Sequence, residues 1–332
     1  MDIFEKLEES SRKKTIPSKY IEILSCFFHS YDKALTSHGM DSSSLQGLFL
    51  KFLELAKKQF LSPFTFSPYH QRITQPFDYY SFGIELIRPL VNLKDSKILG
   101  KEQINKMETQ IEKGENVILL ANHQTEPDPQ ILSVLLEKTH STFAENIVFV
   151  AGDRVTSDPL AITFSMGRNL LCIYSKKYIN IPPELKSKKQ SHNKRSIKIM
   201  KQMLERGGNC FFVAPSGGRD RLNEKNEIEI APFDPQSLEM FLLIAKLIKT
   251  PTHFYPLALS TYHIMPPPQN IETELGEKRI VRRTGSSISF GEEIDFEKIS
   301  DMAENKRQQR QQRARHVWNL VKQDYINLTQ SF

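Results

Sequence analysis

The chain has 332 residues, with 45 Lys and Arg against 39 Asp and Glu, for a formal charge of +6. That excess of base is too mild for a histone-like or arm-type nucleic-acid binder. With 39% hydrophobic residues, 21 Phe, 14 Gly and 18 Pro, the chain is neither disordered nor low in complexity.

The first residues, MDIFEKLEESSRKK, lack an apolar run and carry Asp2, Glu5, Glu8 and Glu9. A secretory leader is not expected there, nor a transit peptide, which avoids acidic residues. Residues 1–75 read as a small helical bundle. Tyr20, Ile23, Leu24 and Phe27 form one helical stripe. Leu45, Leu48, Phe49, Phe52, Leu53, Ala56 and Phe60 form a second. Ser42 to Ser44 offer a start for that helix and Pro63 a stop. Pro63, Pro68 and Pro76 break residues 63–80, so a domain boundary is expected there, with residues 76–332 as the second domain.

The pattern then changes to short apolar runs bounded by polar residues. They are Asn116–Ala121, Ile147–Ala151, Leu170–Tyr174, Cys210–Ala214, His253–Leu259 and Ser287–Gly291. Such runs fit strands buried on both faces. Helical stretches are expected at 129–139, 190–206 and 235–249, with a last helix over about 297–328. This alternation predicts an α/β fold: a mixed, largely parallel sheet flanked by helices, carrying the N-terminal helical bundle. Phe241–Ala245, the best apolar candidate for a membrane span, is cut by Lys246 and falls far short of the ~18 residues needed. Cys26, Cys172 and Cys210 are odd in number and widely spaced, so neither a disulfide framework nor a zinc site is expected. Cys172 and Cys210 read as buried thiols.

Chemistry concentrates just after the strands. Asn116–Ala121 runs into Asn122-His123-Gln124-Thr125-Glu126-Pro127-Asp128-Pro129. Loops beyond the carboxyl ends of strands are where α/β sheets bind ligands. An imidazole there can take a proton from a hydroxyl, and a carboxylate can hold its other ring nitrogen. A structural His, with Asp128 serving as a helix N-cap before Pro129, is the alternative. Cys210–Ala214 leads into Pro-Ser-Gly-Gly-Arg219-Asp-Arg221, where glycines admit close approach and guanidinium forks suit phosphate oxygens. A plain turn, with Arg219 paired to Asp220 or Glu224, explains the same letters. Leu170–Tyr174 leads into Ser175-Lys176-Lys177-Tyr178. Neither a P-loop nor a dinucleotide fingerprint is present.

The charge is uneven. Lys186–Arg206 holds eight basic side chains and one acidic one, a local +7, so the other residues sum to about −1. Ile197, Met200 and Met203–Leu204 give this segment an apolar stripe. It is either a solvated helix face or a docking face for an acidic partner. Lys306–Arg315 carries five more basic residues and reads as the exposed face of the last helix.

Taken together, NHQTEPDP (122–129), FVAGDRVTSDPLAITFSMGRNLLCIYSKK (149–177), APSGGRDR (214–221), APFDPQS (231–237), FYPLALSTYHIMPPP (254–268) and GEKR (276–279) resemble the soluble, chloroplast-type glycerol-3-phosphate 1-O-acyltransferases. The His-x4-Asp spacing alone marks only the wider glycerolipid acyltransferase superfamily, and APSGGRDR narrows it to this branch. The resemblance implies transfer of an acyl group from a thioester, on acyl carrier protein or CoA, to the sn-1 hydroxyl of glycerol 3-phosphate. It implies His123 as base, Asp128 as its orienting carboxylate, and Lys177, Arg219 and Arg221 as phosphate ligands. Tyr178 stands where plant members carry a His; it can hydrogen-bond a phosphate but adds no cation.

No metal and no cofactor beyond the acyl thioester is expected, nor any nucleic-acid partner. The acidic carrier protein is expected on the basic segment, at Lys188, Lys189 and Lys194, and a peripheral membrane contact is compatible with this reading. The expected compartment is the cytoplasm, or the plastid stroma for a mature form. Two competing readings are a lysophosphatidic acid acyltransferase sharing the His123–Asp128 pair, and a non-catalytic module binding an acidic partner.

Overall fold

The structure, a computed structural model, describes residues 2–176, 178–269, 275–299 and 305–330. Three helices come first: α1 (Ile3–Arg12), α2 (Ser18–Thr36) and α3 (Gln46–Leu61). A short strand β1 (Tyr69–His70) interrupts the proline-rich stretch, followed by α4 (Tyr79–Ile87), β2 (Ile98–Leu99) and α5 (Lys101–Glu112). The alternating part runs β3 (Asn116–Ala121), α6 (Asp128–Leu136), α7 (Ser141–Asn146), β4 (Val148–Gly152), α8 (Pro159–Met166) and β5 (Asn169–Ile173). It continues with α9 (Lys186–Arg206), β6 (Cys210–Val213), β7 (Arg221–Leu222), β8 (Ile228–Glu229), α10 (Pro235–Leu247), β9 (Thr252–Ser260), β10 (Ser287–Phe290) and α11 (Lys306–Thr329).

Eight strands form one sheet in the order β1-β5-β4-β6-β3-β9-β10-β2. The five central strands, from β5 to β9, are mutually parallel. β1 joins β5 antiparallel, and β10 joins β9 antiparallel. The mixed, largely parallel sheet expected from the alternation is therefore present. Because the central strands run the same way, the loops after β3, β4, β5, β6 and β9 share one end of the sheet.

Strand residues alternate between two apolar layers, as period-two geometry requires. Val117, Leu119, Ala121, Phe149, Phe212, Tyr255 and Leu257 face one layer, with α1 to α8. Ile118, Leu120, Val148, Leu171, Phe211 and Phe254 face the other, with α9, α10 and α11. Both faces are covered, so the strands read as continuous apolar runs rather than as alternating ones. Cys172 and Cys210 are buried in this core. Among the described residues, no helix is long and apolar enough to cross a membrane.

The helix at the chain's end begins later than the periodicity suggests. Asn305 caps it, its side chain accepting from the backbone of Arg307 at 3.1 Å and Gln308 at 3.0 Å. Its basic run is not wholly exposed. Arg313 turns inward and pairs with Glu239 at 3.2 Å.

The N-terminal helices pack onto the sheet's helical cover. Phe52 of α3 is buried and meets Phe164 of α8 at 5.2 Å between ring centres, as well as Phe27 and Phe28 of α2. The Tyr31 hydroxyl of α2 donates to the carbonyl of Leu86 at 2.7 Å. Truncating Phe52 to Ala should cost about 3–5 kcal/mol of folding stability. The test is urea unfolding: a single transition moved to lower denaturant is expected, and an unmoved midpoint contradicts this packing.

Candidate active site

The site begins where β3 ends. His123 is 29% exposed by side chain, whereas Asp128 is only 1% exposed. Asp128 Oδ2 accepts from His123 Nδ1 at 2.7 Å and from the Gln124 amide at 2.8 Å. The Thr125 amide lies 3.3 Å from both carboxylate oxygens. Thr261 Oγ1 donates to Oδ1 at 2.6 Å from the end of β9. An acceptor-only carboxylate facing His123 Nδ1 makes that nitrogen the proton-bearing one. Nε2 then keeps its lone pair, and it has no hydrogen-bond partner among the described residues. Asp128 opens α6 but makes no side-chain cap to it. Its carboxylate points back to the His123 loop, so orientation of the imidazole, not helix capping, is the role its contacts show.

Two buried amides fix the loop between them. Asn122 Oδ1 accepts from the Leu259 amide at 2.7 Å, and its Nδ2 donates to Asp220 Oδ2 at 2.8 Å. Gln124 Oε1 accepts from the amides of Thr261 at 2.7 Å and Tyr262 at 3.0 Å. Its Nε2 reaches Asp220 Oδ2 at 3.2 Å. The other oxygen of Asp220 accepts from the Ala231 amide at 2.9 Å, and the Asp220 amide donates to the His123 carbonyl at 2.7 Å. Burial pushes the Asp220 carboxyl up to about 6, against the pull of these donors.

Asp220 sits between the two expected phosphate arginines, so the glycine loop and the His123 loop are joined directly. The glycine loop is itself a turn, with the Gly217 amide donating to the Ala214 carbonyl at 3.0 Å and Gly217 at φ +63°. The loop is thus a turn. Arg219 pairs neither with Asp220 nor with Glu224; its partner is Glu277. Arg154 shares that carboxylate at 3.0 Å. Burial alone would raise the Glu277 carboxyl, but Arg219, Arg154 and Arg279 overcome it and hold it below the usual range. Arg221 is half-buried. Its Nη1 donates to the carbonyls of Arg219 at 3.2 Å and Asp220 at 3.1 Å. Its Nε is buried with no hydrogen-bond partner among the described residues. Burial, then the neighbouring Arg219, lowers its proton affinity. Such an orphaned cationic donor beside a second arginine suits an anion.

The remaining expected residues divide. Lys177 lies outside the described residues. Tyr178 follows in the turn after β5, and its carbonyl accepts from Lys189 Nζ at 3.0 Å. Lys176 points to α10, with Gln236 Oε1 at 2.8 Å and Asp234 Oδ2 at 3.4 Å. Lys189 does not belong to a docking face. It is buried and donates to the carbonyls of Tyr178 and Ile181, tying the turn to α9. The buried stripe of α9 runs through Lys189, Ser196, Met200, Met203 and Leu204, while Ile197 faces outward. Lys188 and Lys194 remain exposed.

Sequence reasoning missed Thr261, Asp220, Asn122, Gln124 and Glu277 as site components. A usable signal existed for Thr261: it follows the longest apolar run, whose parallel pairing with β3 brings both ends together. Glu277 belongs to the GEKR segment, which received no role. The same segment supplies Arg279, buried and pairing with Glu126 at 3.0 Å and Asp158 at 3.2 Å.

A family model described as "Acyltransferase" matches residues 97–260. The chain is 42% identical over 264 residues to a protein of Arabidopsis thaliana named "Glycerol-3-phosphate acyltransferase, chloroplastic", covering 79% of this chain and 58% of that one. It therefore spans less than two thirds of that relative. Among solved structures, the 1-acyl-sn-glycerophosphate (LPA) acyltransferase PlsC of Thermotoga maritima aligns with a TM-score of 0.44 at 14% identity, covering 93% of this chain and 95% of that one. A protein of Spinacia oleracea with the same name as the Arabidopsis one is 37% identical over 330 residues, 98% of this chain and 69% of that one. With such identity along nearly its whole length, the chain belongs to the family of chloroplast-type glycerol-3-phosphate acyltransferases.

Proposed function

We propose that this protein moves an acyl group from a thioester to the sn-1 hydroxyl of glycerol 3-phosphate. The observation that carries the reading is the His123–Asp128 pair joined, through the Asp220 amide, to a loop holding Arg219 and Arg221. A base and an anion pocket on adjoining loops suit an acceptor with a hydroxyl at one end and a phosphate at the other. The family membership and the names of the relatives support the same acceptor.

This reading assigns each proton step to His123. A hydroxyl is too weak a nucleophile to attack unaided. Nε2 of His123 takes its proton as the oxygen attacks the thioester carbon, while Asp128 stabilises the imidazolium that forms. The tetrahedral intermediate collapses, the carbon–sulfur bond breaks, and the imidazolium returns the proton to the departing sulfur. The products are 1-acylglycerol 3-phosphate and a free carrier thiol. This sequence calls on no metal or redox cofactor, since the thioester already carries an activated carbonyl. Arg219 and Arg221, with Lys177 and Tyr178 as further candidates, would hold the phosphate. Both plant relatives are named as chloroplastic, and the reading suits either a plastid stroma or a cytoplasm.

For the donor, the reading favours acyl carrier protein. The exposed part of α9 presents Lys188, Lys194, Arg195 and Lys198 as a basic face that an acidic carrier would recognise.

Three outcomes are expected. His123→Ala should lose about 10²–10⁴ in turnover with glycerol 3-phosphate while still folding, with a lowered thermal transition because buried Asp128 loses one of its donors; near-parental turnover rules out the mechanism. Replacing Arg219 or Arg221 by Ala should raise KM for glycerol 3-phosphate roughly tenfold or more, as a charged hydrogen bond is lost. A KM unchanged in both removes them from the pocket, and lysophosphatidic acid assayed alongside decides between the two acceptors. Reversing charge at Lys188 and Lys194 together should raise KM for acyl carrier protein several-fold, with less effect on acyl-CoA. Equal KM values for the carrier protein in variant and parent exclude α9 as its docking face.

A further inference from the structure

The residue between the two arginines has a more specific place than its neighbours. Asp220 is fully buried and bonds three separate segments: the His123 loop, the backbone at Ala231, and, through Asn122 and Gln124, the end of β9. The direction of each bond is fixed from outside. Asn122 cannot turn its amide over, because Oδ1 is held by the Leu259 amide at 2.7 Å and Nδ2 also donates to the Leu259 carbonyl at 3.0 Å. Gln124 cannot turn over either, because Oε1 already accepts from two backbone amides. Both side-chain NH2 groups must therefore point at Asp220 Oδ2. The Ala231 amide points at Oδ1. Both oxygens must accept, and a residue presenting a donor at either one meets another donor.

We propose that Asp220 is a positioning residue that sets the separation between the phosphate-binding arginines and the His123 base. The inference rests on the proposed function, in which one acceptor reaches both. Asp220 touches neither the phosphate nor the reacting hydroxyl in this role. It acts because its backbone carries Arg219 and Arg221 on either side, while its amide and carboxylate clamp residues 122 to 124. The acceptor's carbon chain is short, so its hydroxyl meets Nε2 only when the two loops keep their spacing. A phosphate held by a shifted loop would still bind, with its hydroxyl out of line, and a misplacement near 1 Å costs about 10²-fold in rate.

The experiment compares glycerol 3-phosphate with glycerol, which lacks the phosphate, in the full-length protein. Asp220→Asn keeps the shape and replaces one acceptor by a donor. With glycerol 3-phosphate, kcat should fall about 10²-fold while KM changes little, and turnover of glycerol should fall far less. In an Arg219→Ala, Arg221→Ala background, adding Asp220→Asn should then have little further effect on glycerol 3-phosphate. Equal losses toward both acceptors, additive losses in that background, or parental kcat each overturn the positioning role. Should Asp220→Asn fail to fold, Gln124→Met removes one of the donors to Oδ2, and the same acceptor comparison decides. A parent protein that does not acylate glycerol 3-phosphate overturns the proposed function itself, and this role with it.

Discussion

The loop after β3 and the end of β9 are held to one buried carboxylate. Taking an ionised Asp128 out of water costs several kcal/mol unless hydrogen bonds replace the lost solvent. The replacements come from the imidazole of His123, the amides of Gln124 and Thr125, and the hydroxyl of Thr261. Three of these belong to the loop after β3 and one to the end of β9. Satisfying Asp128 therefore requires that β3 and β9 lie side by side, with the end of β9 reaching the loop after β3. Their parallel register, Ala121 against Leu257, brings this about. The His123–Asp128 geometry and the central strand pairing are consequently the same constraint seen from two ends.

The same constraint explains which residues are legible in the amino-acid sequence. His123, Asp128, Arg219 and Arg221 stand in polar loops directly after apolar runs, and that local pattern identifies strand ends. The central strands are legible because both their faces are buried, leaving unbroken apolar letters. What the pattern does not carry is pairing across the fold. Asp220 meets Asn122 and Gln124 from nearly a hundred residues away, and Thr261 meets Asp128 from further still. An Asp between two arginines reads locally as their ion-pair partner. Here it is walled in, and Arg219 turns to Glu277 instead.

Lys189 shows the opposite failure. Within a run of basic residues it reads as one more solvated cation. Helical geometry places it seven residues before Ser196 and fourteen before Met203, on the face that packs against the sheet. Its long stem is buried, and its ammonium closes the carbonyls of Tyr178 and Ile181 rather than facing water. The local charge of this segment thus overstates what the surface presents. The cations left for an acidic partner lie on the other side of α9.

The buried guanidinium groups near the site differ in a way that bears on their use. Arg279 is fully engaged: Glu126 and Asp158 neutralise it, and its Nη1 donates to the Glu277 carbonyl at 3.1 Å. Those two carboxylates raise its proton affinity despite its burial. Such an arginine braces three loops and has nothing left for a ligand. Arg221 is the reverse case. Burial and Arg219 oppose its charge, and its Nε finds no acceptor among the described residues. A dianionic phosphate beside it would supply both the acceptor and the opposing charge. Arg219 lies between these extremes, since the carboxylate it now holds is shared with Arg154. Sharing leaves Glu277 with a cation even if Arg219 swings to a phosphate. In the proposed reading the pocket can therefore admit a phosphate without stranding a buried carboxylate, which a one-to-one pairing of Arg219 with Glu277 would not allow.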